Sequence, residues 1–168
     1  METAGTYISI VSTKKTSILH FLNLIFTYFL SFVLLFAGIN KIINSLPLIN
    51  SLSTVFDFLP EGVIVAIASL LPIVEIGLGL LLIFSIYNEK IRLKRKLILL
   101  TTTVLFTLFL AFSVYGYIIG LKNDCGCFGN MIPAKISLSM VVRNFVLTLI
   151  AFLLFIFNKR QKSLMVTS

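Results

Sequence analysis

Cys125 and Cys127 are the only two cysteines in a chain of 168 residues, and a single glycine separates them. Two thiols this close can form a disulfide, exchange one with another thiol, or bind a soft metal ion. A disulfide requires alpha carbons roughly 4.4 to 6.8 Å apart with converging beta carbons. Residues i and i+2 of an extended chain lie near or beyond that limit, so the backbone has to bend, and Gly126 permits the bend. The closed ring is smaller than that of a Cys-x-x-Cys pair and more readily reduced, which suits exchange better than permanent bracing. Lys122 and Lys135 flank the segment and favour a thiolate, whereas Asp124 opposes it or accepts a proton. Either thiol can attack; in one arrangement Cys127, followed by Phe128 and Gly129, packs into the bundle mouth and leaves Cys125 for a partner.

Competing chemistries are weaker. A structural disulfide across so short a loop removes little chain entropy. Zinc needs two more ligands, and His20 is predicted at the opposite face. Copper(I) accepts soft thiolates, with Met131 as a third donor, and stays open as an alternative.

The elements that position this pair follow from composition. Hydrophobic residues make up 58% of the chain and charged residues 12%, with a mean hydropathy of +1.08. Such a chain lies outside the soluble globular range and reads as membrane-embedded. Its fourteen Lys and Arg give a formal charge of +8, but they cluster beside apolar runs. That pattern contacts lipid head groups and sets topology, and it leaves no basic face for nucleic acid.

Four apolar runs, about 18–42, 62–87, 97–119 and a last one ending near Phe157, each meet the roughly 20 residues a helix needs to cross a bilayer. The first follows Lys14 and Lys15, but it exceeds the about 7 to 15 residues of a signal peptide core and lacks a small-residue cleavage site. It therefore reads as an uncleaved span. The predicted fold is all-α: a polytopic membrane protein with a four-transmembrane-helix bundle at 18–158. Residues 1–17 form a polar, loosely ordered cytoplasmic segment and 159–168 a basic cytoplasmic tail. The connection 43–60, with Pro47 and Pro60, holds Leu46, Leu48, Leu52, Phe56 and Phe58 for a short interfacial helix. Ser137 or Ser139 is placed to cap the last span.

With four spans both termini share a side. Ten basic residues fall on that side, and only Lys41, Lys122, Lys135 and Arg143 on the other. The excess predicts cytoplasmic termini and an extracytoplasmic cysteine segment, in a compartment that permits disulfides.

Glu75 lies near the middle of the second span, where a carboxylate needs a partner. Lys41 and Arg143 are the candidates; a protonated, lone Glu75 is the alternative. Helix rise puts Glu75 roughly 20 Å below Glu61, so either cation needs tilt or re-entry to reach it. Pro72, Glu75 and Gly79 share a face, which serves as an interhelical seam, a proton path or a quinone head-group site. Asn144, Tyr115 and Tyr117 are placed to line such a pocket.

Gly38 with Lys41, Pro72-Ile73-Val74-Glu75-Ile76-Gly77, Asp124-Cys125-Gly126-Cys127-Phe128-Gly129 and Arg143-Asn144 together resemble the MauE family of methylamine-utilisation membrane proteins, grouped with DoxX-like four-helix proteins. The likeness covers about 22–157. It implies a redox-associated protein of the bacterial inner membrane that works with a thioredoxin-like partner or an exported cysteine-containing substrate. Cys125 and Cys127 are the expected catalytic pair of a thiol-disulfide oxidoreductase. Asp124, Gly126, Phe128, Lys41, Glu75 and Arg143 take supporting positions. Lacking a second cysteine pair, the chain needs an electron acceptor such as a quinone. The alternative is a non-catalytic assembly factor or copper(I)-handling protein using the same thiols.

Overall fold

In a bilayer every backbone N–H and C=O needs an internal partner, so long apolar runs with few breakers become helices. A computed structural model describes residues 3–88, 91, 94–119 and 138–166. Within these residues lie five helices: α1 (Thr3–Ile43), α2 (Leu46–Val55), α3 (Glu61–Tyr87), α4 (Arg95–Ile118) and α5 (Leu138–Val166). Four stretches are long and apolar enough to cross a membrane: Phe21–Ile43, Glu61–Tyr87, Arg95–Ile118 and Leu138–Asn158. Four hydroxyl side chains inside the spans are satisfied locally: Ser69, Thr101, Thr103 and Thr107 each donate to the carbonyl four residues earlier, at 2.8 to 3.0 Å.

The helices pack as two antiparallel pairs. In the first, Tyr28 of α1 meets Tyr87 of α3, their hydroxyls 2.7 Å apart, and Ser31 donates to the carbonyl of Gly79 at 2.7 Å. In the second, Asn144 of α5 donates to Ser113 of α4, and Thr148 donates to the carbonyl of Phe106 at 3.2 Å. Arg95, opening α4, donates to Asn23 and Thr27 of α1 at 2.6 and 3.0 Å, and Phe109 further along α4 meets Lys41 further along α1, so α1 and α4 run parallel. Leu30, Leu34, Leu82, Leu99, Phe106, Ala151 and Leu154 form the shared core. Phe32, Leu70, Ile73 and Leu108 point outward, an apolar exterior that requires lipid rather than water as solvent. The chain is a multi-pass membrane protein.

Small residues set the α1–α3 distance. A beta carbon on Gly38 would lie 2.7 Å from Ile76 and 3.1 Å from the carbonyl of Pro72; one on Gly79 would lie 2.9 Å from Leu35 and 3.2 Å from the carbonyl of Ser31. Pro72, Glu75 and Gly79 are thus part of a tight helix seam.

Four expectations change. The polar N-terminal segment is not loosely ordered: α1 is helical from Thr3. The tail likewise continues α5 to Val166. The connection 43–60 is more than an interfacial strap, because α2 turns Leu48 and Leu52 onto Ile64 and Ala68 of α3, with Phe112 of α4 against them. Pro47 sits in the first turn of α2, where its missing N–H costs nothing. Ser139 lies inside α5 rather than at its cap, and Ser137 lies outside the described residues.

The seam predicts a contrast between neighbouring glycines. Gly38→Ala should lower stability by about 1 to 3 kcal/mol through overpacking. Gly77, where an added beta carbon meets nothing within 4 Å, should tolerate alanine neutrally or gain up to about 1 kcal/mol of helix propensity. Thermal unfolding of both variants in detergent checks the ordering.

Candidate functional site

Glu75 finds its partner in Lys41: the Lys41 ammonium forms a salt bridge with Glu75 Oε1, and both side chains are essentially inaccessible, at 1% and 0%. Two features bring them together. Gly38, one turn before Lys41, rests on Pro72 and Glu75, fixing the two backbones at the same level. And α1 ends deep within the bundle. From Tyr28, beside the end of α3, to Ile43 the helix rises only about 22 Å, whereas α3 continues beyond α1 to Glu61. Lys41 is therefore not shallow, and the tilt that helix arithmetic demanded is replaced by an early stop of α1.

The early stop leaves α1's last carbonyls inside the protein, where they need partners. Asn44 N–H returns to the carbonyl of Asn40 at 2.9 Å, and only Asn44 and Ser45 separate α1 from α2. Lys41 lies in the last turn, where the helix dipole favours a cation. Its Nζ also stands 4.4 Å from the centroid of the Phe109 ring on α4, a cation–π contact joining the two helix pairs.

Two spaces adjoin the ion pair. A small one of about 20 Å³, of single-water size, lies among Lys41, Glu75, Phe106, Phe109 and Asn144. A larger cavity of about 520 Å³ occupies the level that α1 leaves vacant. Leu48 and Leu52 of α2, Phe56 just after it, Leu71 of α3 and Phe109 and Phe112 of α4 form its apolar wall; Lys41 and Tyr115 carry its polar groups. Phe58 and Tyr115, 79% and 50% exposed, mark its rim. Its shape and lining suit an apolar ligand with one or two hydrogen-bond acceptors.

The predicted site residues fare differently. Lys41 and Glu75 come together, and Tyr115 lines the large cavity. Asn144 lines the small one, while Tyr117, half exposed, lines neither. Arg143 is partly buried on α5, one residue before Asn144. Asp124, Cys125, Gly126, Cys127 and Phe128, with Lys122, Met131 and Lys135, lie outside the described residues; their segment joins Ile119 at the end of α4 to Leu138 at the start of α5. Sequence reasoning missed Phe109, the α2 wall and the Asn23–Thr27–Ser31 row facing Arg95 and Gly79. The row had a signal: polar residues four apart within an apolar span mark one buried face.

A family model described as methylamine utilisation protein MauE matches residues 19–157, most of the chain, which therefore belongs to that family. No curated protein and no solved structure matches it.

The ion pair predicts strong non-additivity. Glu75→Gln alone leaves a buried ammonium uncompensated and should cost about 3 to 5 kcal/mol. Combining Lys41→Met with Glu75→Leu removes both charges and should recover most of that loss. Unfolding of the two variants and the parent in mixed micelles measures the difference.

Proposed function

From its place in the MauE family, we propose that the protein is a membrane thiol-disulfide redox protein supporting maturation of exported proteins. Cys125 and Cys127 exchange disulfides with a thioredoxin-like partner or an exported cysteine-containing substrate. The observation that carries this reading is the sequence itself: the chain's only thiols stand one glycine apart, in the segment joining two membrane-spanning helices. The distribution of basic residues supports an extracytoplasmic location for that segment, in the inner membrane of a bacterium.

The exchange balances simply. A partner thiolate attacks one sulfur of the Cys125–Cys127 disulfide, the S–S bond breaks, and the other cysteine leaves as a thiolate. The partner's second thiolate then attacks the partner sulfur of the mixed disulfide, expelling the bound cysteine as a thiolate, so the partner leaves oxidised and both cysteines are left reduced. Gly126 allows the small ring to close and reopen. Lys122 and Lys135 stabilise the leaving thiolate, with Asp124 as proton acceptor.

Single substitutions separate the two steps. Cys125→Ser and Cys127→Ser each retain one thiol, and the variant keeping the cysteine that bonds to the partner should accumulate a mixed disulfide with it, visible as a reductant-sensitive band on non-reducing gels. The double variant should trap nothing and fail to restore oxidation of exported dithiols in cells lacking the protein. Full restoration by the double variant would refute the reading.

A further inference from the structure

We propose that the cavity between α2, α3 and α4 is a binding site for a lipid-soluble quinone, the acceptor that reoxidises the cysteine pair. The inference rests on the thiol-disulfide reading for its reaction but on the cavity for its site. One turnover leaves Cys125 and Cys127 as two thiols holding two electrons and two protons, and the chain has no second cysteine pair to receive them. A quinone takes both: two S–H bonds give way to one S–S bond, and two quinone carbonyls become the hydroxyls of a quinol.

The cavity has the properties this acceptor needs. Its volume of about 520 Å³ lies in the range of small-molecule pockets and admits a ring with the first part of an isoprenoid tail. Phe109, Phe112, Leu52 and Leu71 provide flat and aliphatic walls. Exposed Phe58 at the rim lets a ligand enter from the lipid.

At its deep end is Lys41, the one charged residue in the described lining. An ammonium carries three N–H donors, and Glu75 takes one. A quinone carbonyl placed at Lys41 gains a donor that strengthens as electrons arrive and charge builds on its oxygen. Glu75 keeps that cation inside the bundle, so it acts as a positioning residue. Tyr115 offers a second hydroxyl donor nearer the rim.

The cysteine segment begins within reach. Tyr115 stands one turn before the end of α4, and Cys125 lies six residues beyond Ile119, so the chain can span up to about 20 Å from that point. Chain length alone therefore lets either cysteine reach the cavity mouth. The inference also fixes a direction: electrons pass from exported dithiols into the membrane quinone pool.

The test uses the full-length protein in lipid nanodiscs with decylubiquinone as probe and an azido-substituted analogue for photolabelling. The label should map to peptides of α2, α3 or α4. Mixing reduced protein with decylubiquinone should give quinol and disulfide in equal amounts. Ala111→Phe, which fills the cavity wall, and the charge-neutral pair Lys41→Met with Glu75→Gln should each raise the half-saturating quinone concentration by about tenfold. The charge-neutral pair avoids a buried lone charge. Exchange between oxidised protein and a dithiol peptide should proceed unchanged in Ala111→Phe. Unchanged half-saturation in both variants, or label confined to α5 and the terminal segments, would overturn the site. Label in the cavity without peptide exchange would retire the thiol reading and leave the quinone site standing.

Discussion

The buried salt bridge between Lys41 and Glu75 is the constraint on which the rest of the bundle depends. Two charges withdrawn from water into a bilayer-spanning protein are tolerated only in close contact, with the surrounding helices held in one arrangement. Gly38 and Gly79 let α1 and α3 approach closely enough for that contact, and Ser31 ties the seam at its other end through the carbonyl of Gly79. Phe109 covers the ammonium from α4, so a single cation engages three helices. Lys41 reaches this depth because α1 stops early, and α2 exists to fill part of the gap.

The unfilled remainder of that gap is the cavity. A four-helix bundle whose helices ended level with one another would bury its core continuously from end to end. Here the second apolar cluster, Leu48, Leu52, Ile64 and Ala68, closes only one side of the space beside α3, leaving Lys41 at the floor and Phe58 and Tyr115 at the rim. The α4–α5 pair is held separately by Ser113 with Asn144 and by Thr148 with the Phe106 carbonyl. Arg95 with Asn23 and Thr27 locks the opposite end. One end of the bundle is therefore clamped, while the end bearing the cysteine segment is built around a space.

Much of this was legible in the sequence, because bilayer thickness and backbone hydrogen bonding leave few options for long apolar runs. The four spans emerged within a few residues of their bounds, and Glu75 announced itself as a residue requiring a partner. Lys41 was a candidate from its type alone. Its depth was not legible, since that depends on where α1 stops relative to α3, a tertiary fact set by Gly38 and Gly79. The burial of α2 was hidden for a similar reason: Leu48 and Leu52 look the same facing lipid or facing α3. The helical N-terminal segment was missed because polarity was taken as a sign of loose structure, although Thr3–Lys15 contains no proline and only one glycine to interrupt a helix. Tyr117 was expected beside Tyr115, but residues two apart on a helix do not share a face.

The proposed redox role brings these features into one scheme, with a thiol pair at one end of the bundle and a cation-floored apolar cavity beneath it. Its structural centre is the contact between Lys41 and Glu75 inside the bundle. Solid-state NMR on protein carrying ¹⁵N-labelled lysine and ¹³C-labelled glutamate, reconstituted in bilayers, reports that contact directly. The account predicts a through-space cross-peak between Lys41 Nζ and the Glu75 carboxyl carbon, absent in the Glu75→Gln variant and unaffected by added salt. A Lys41 signal with no such coupling, shifting with ionic strength as an ammonium at the lipid head groups does, would contradict it.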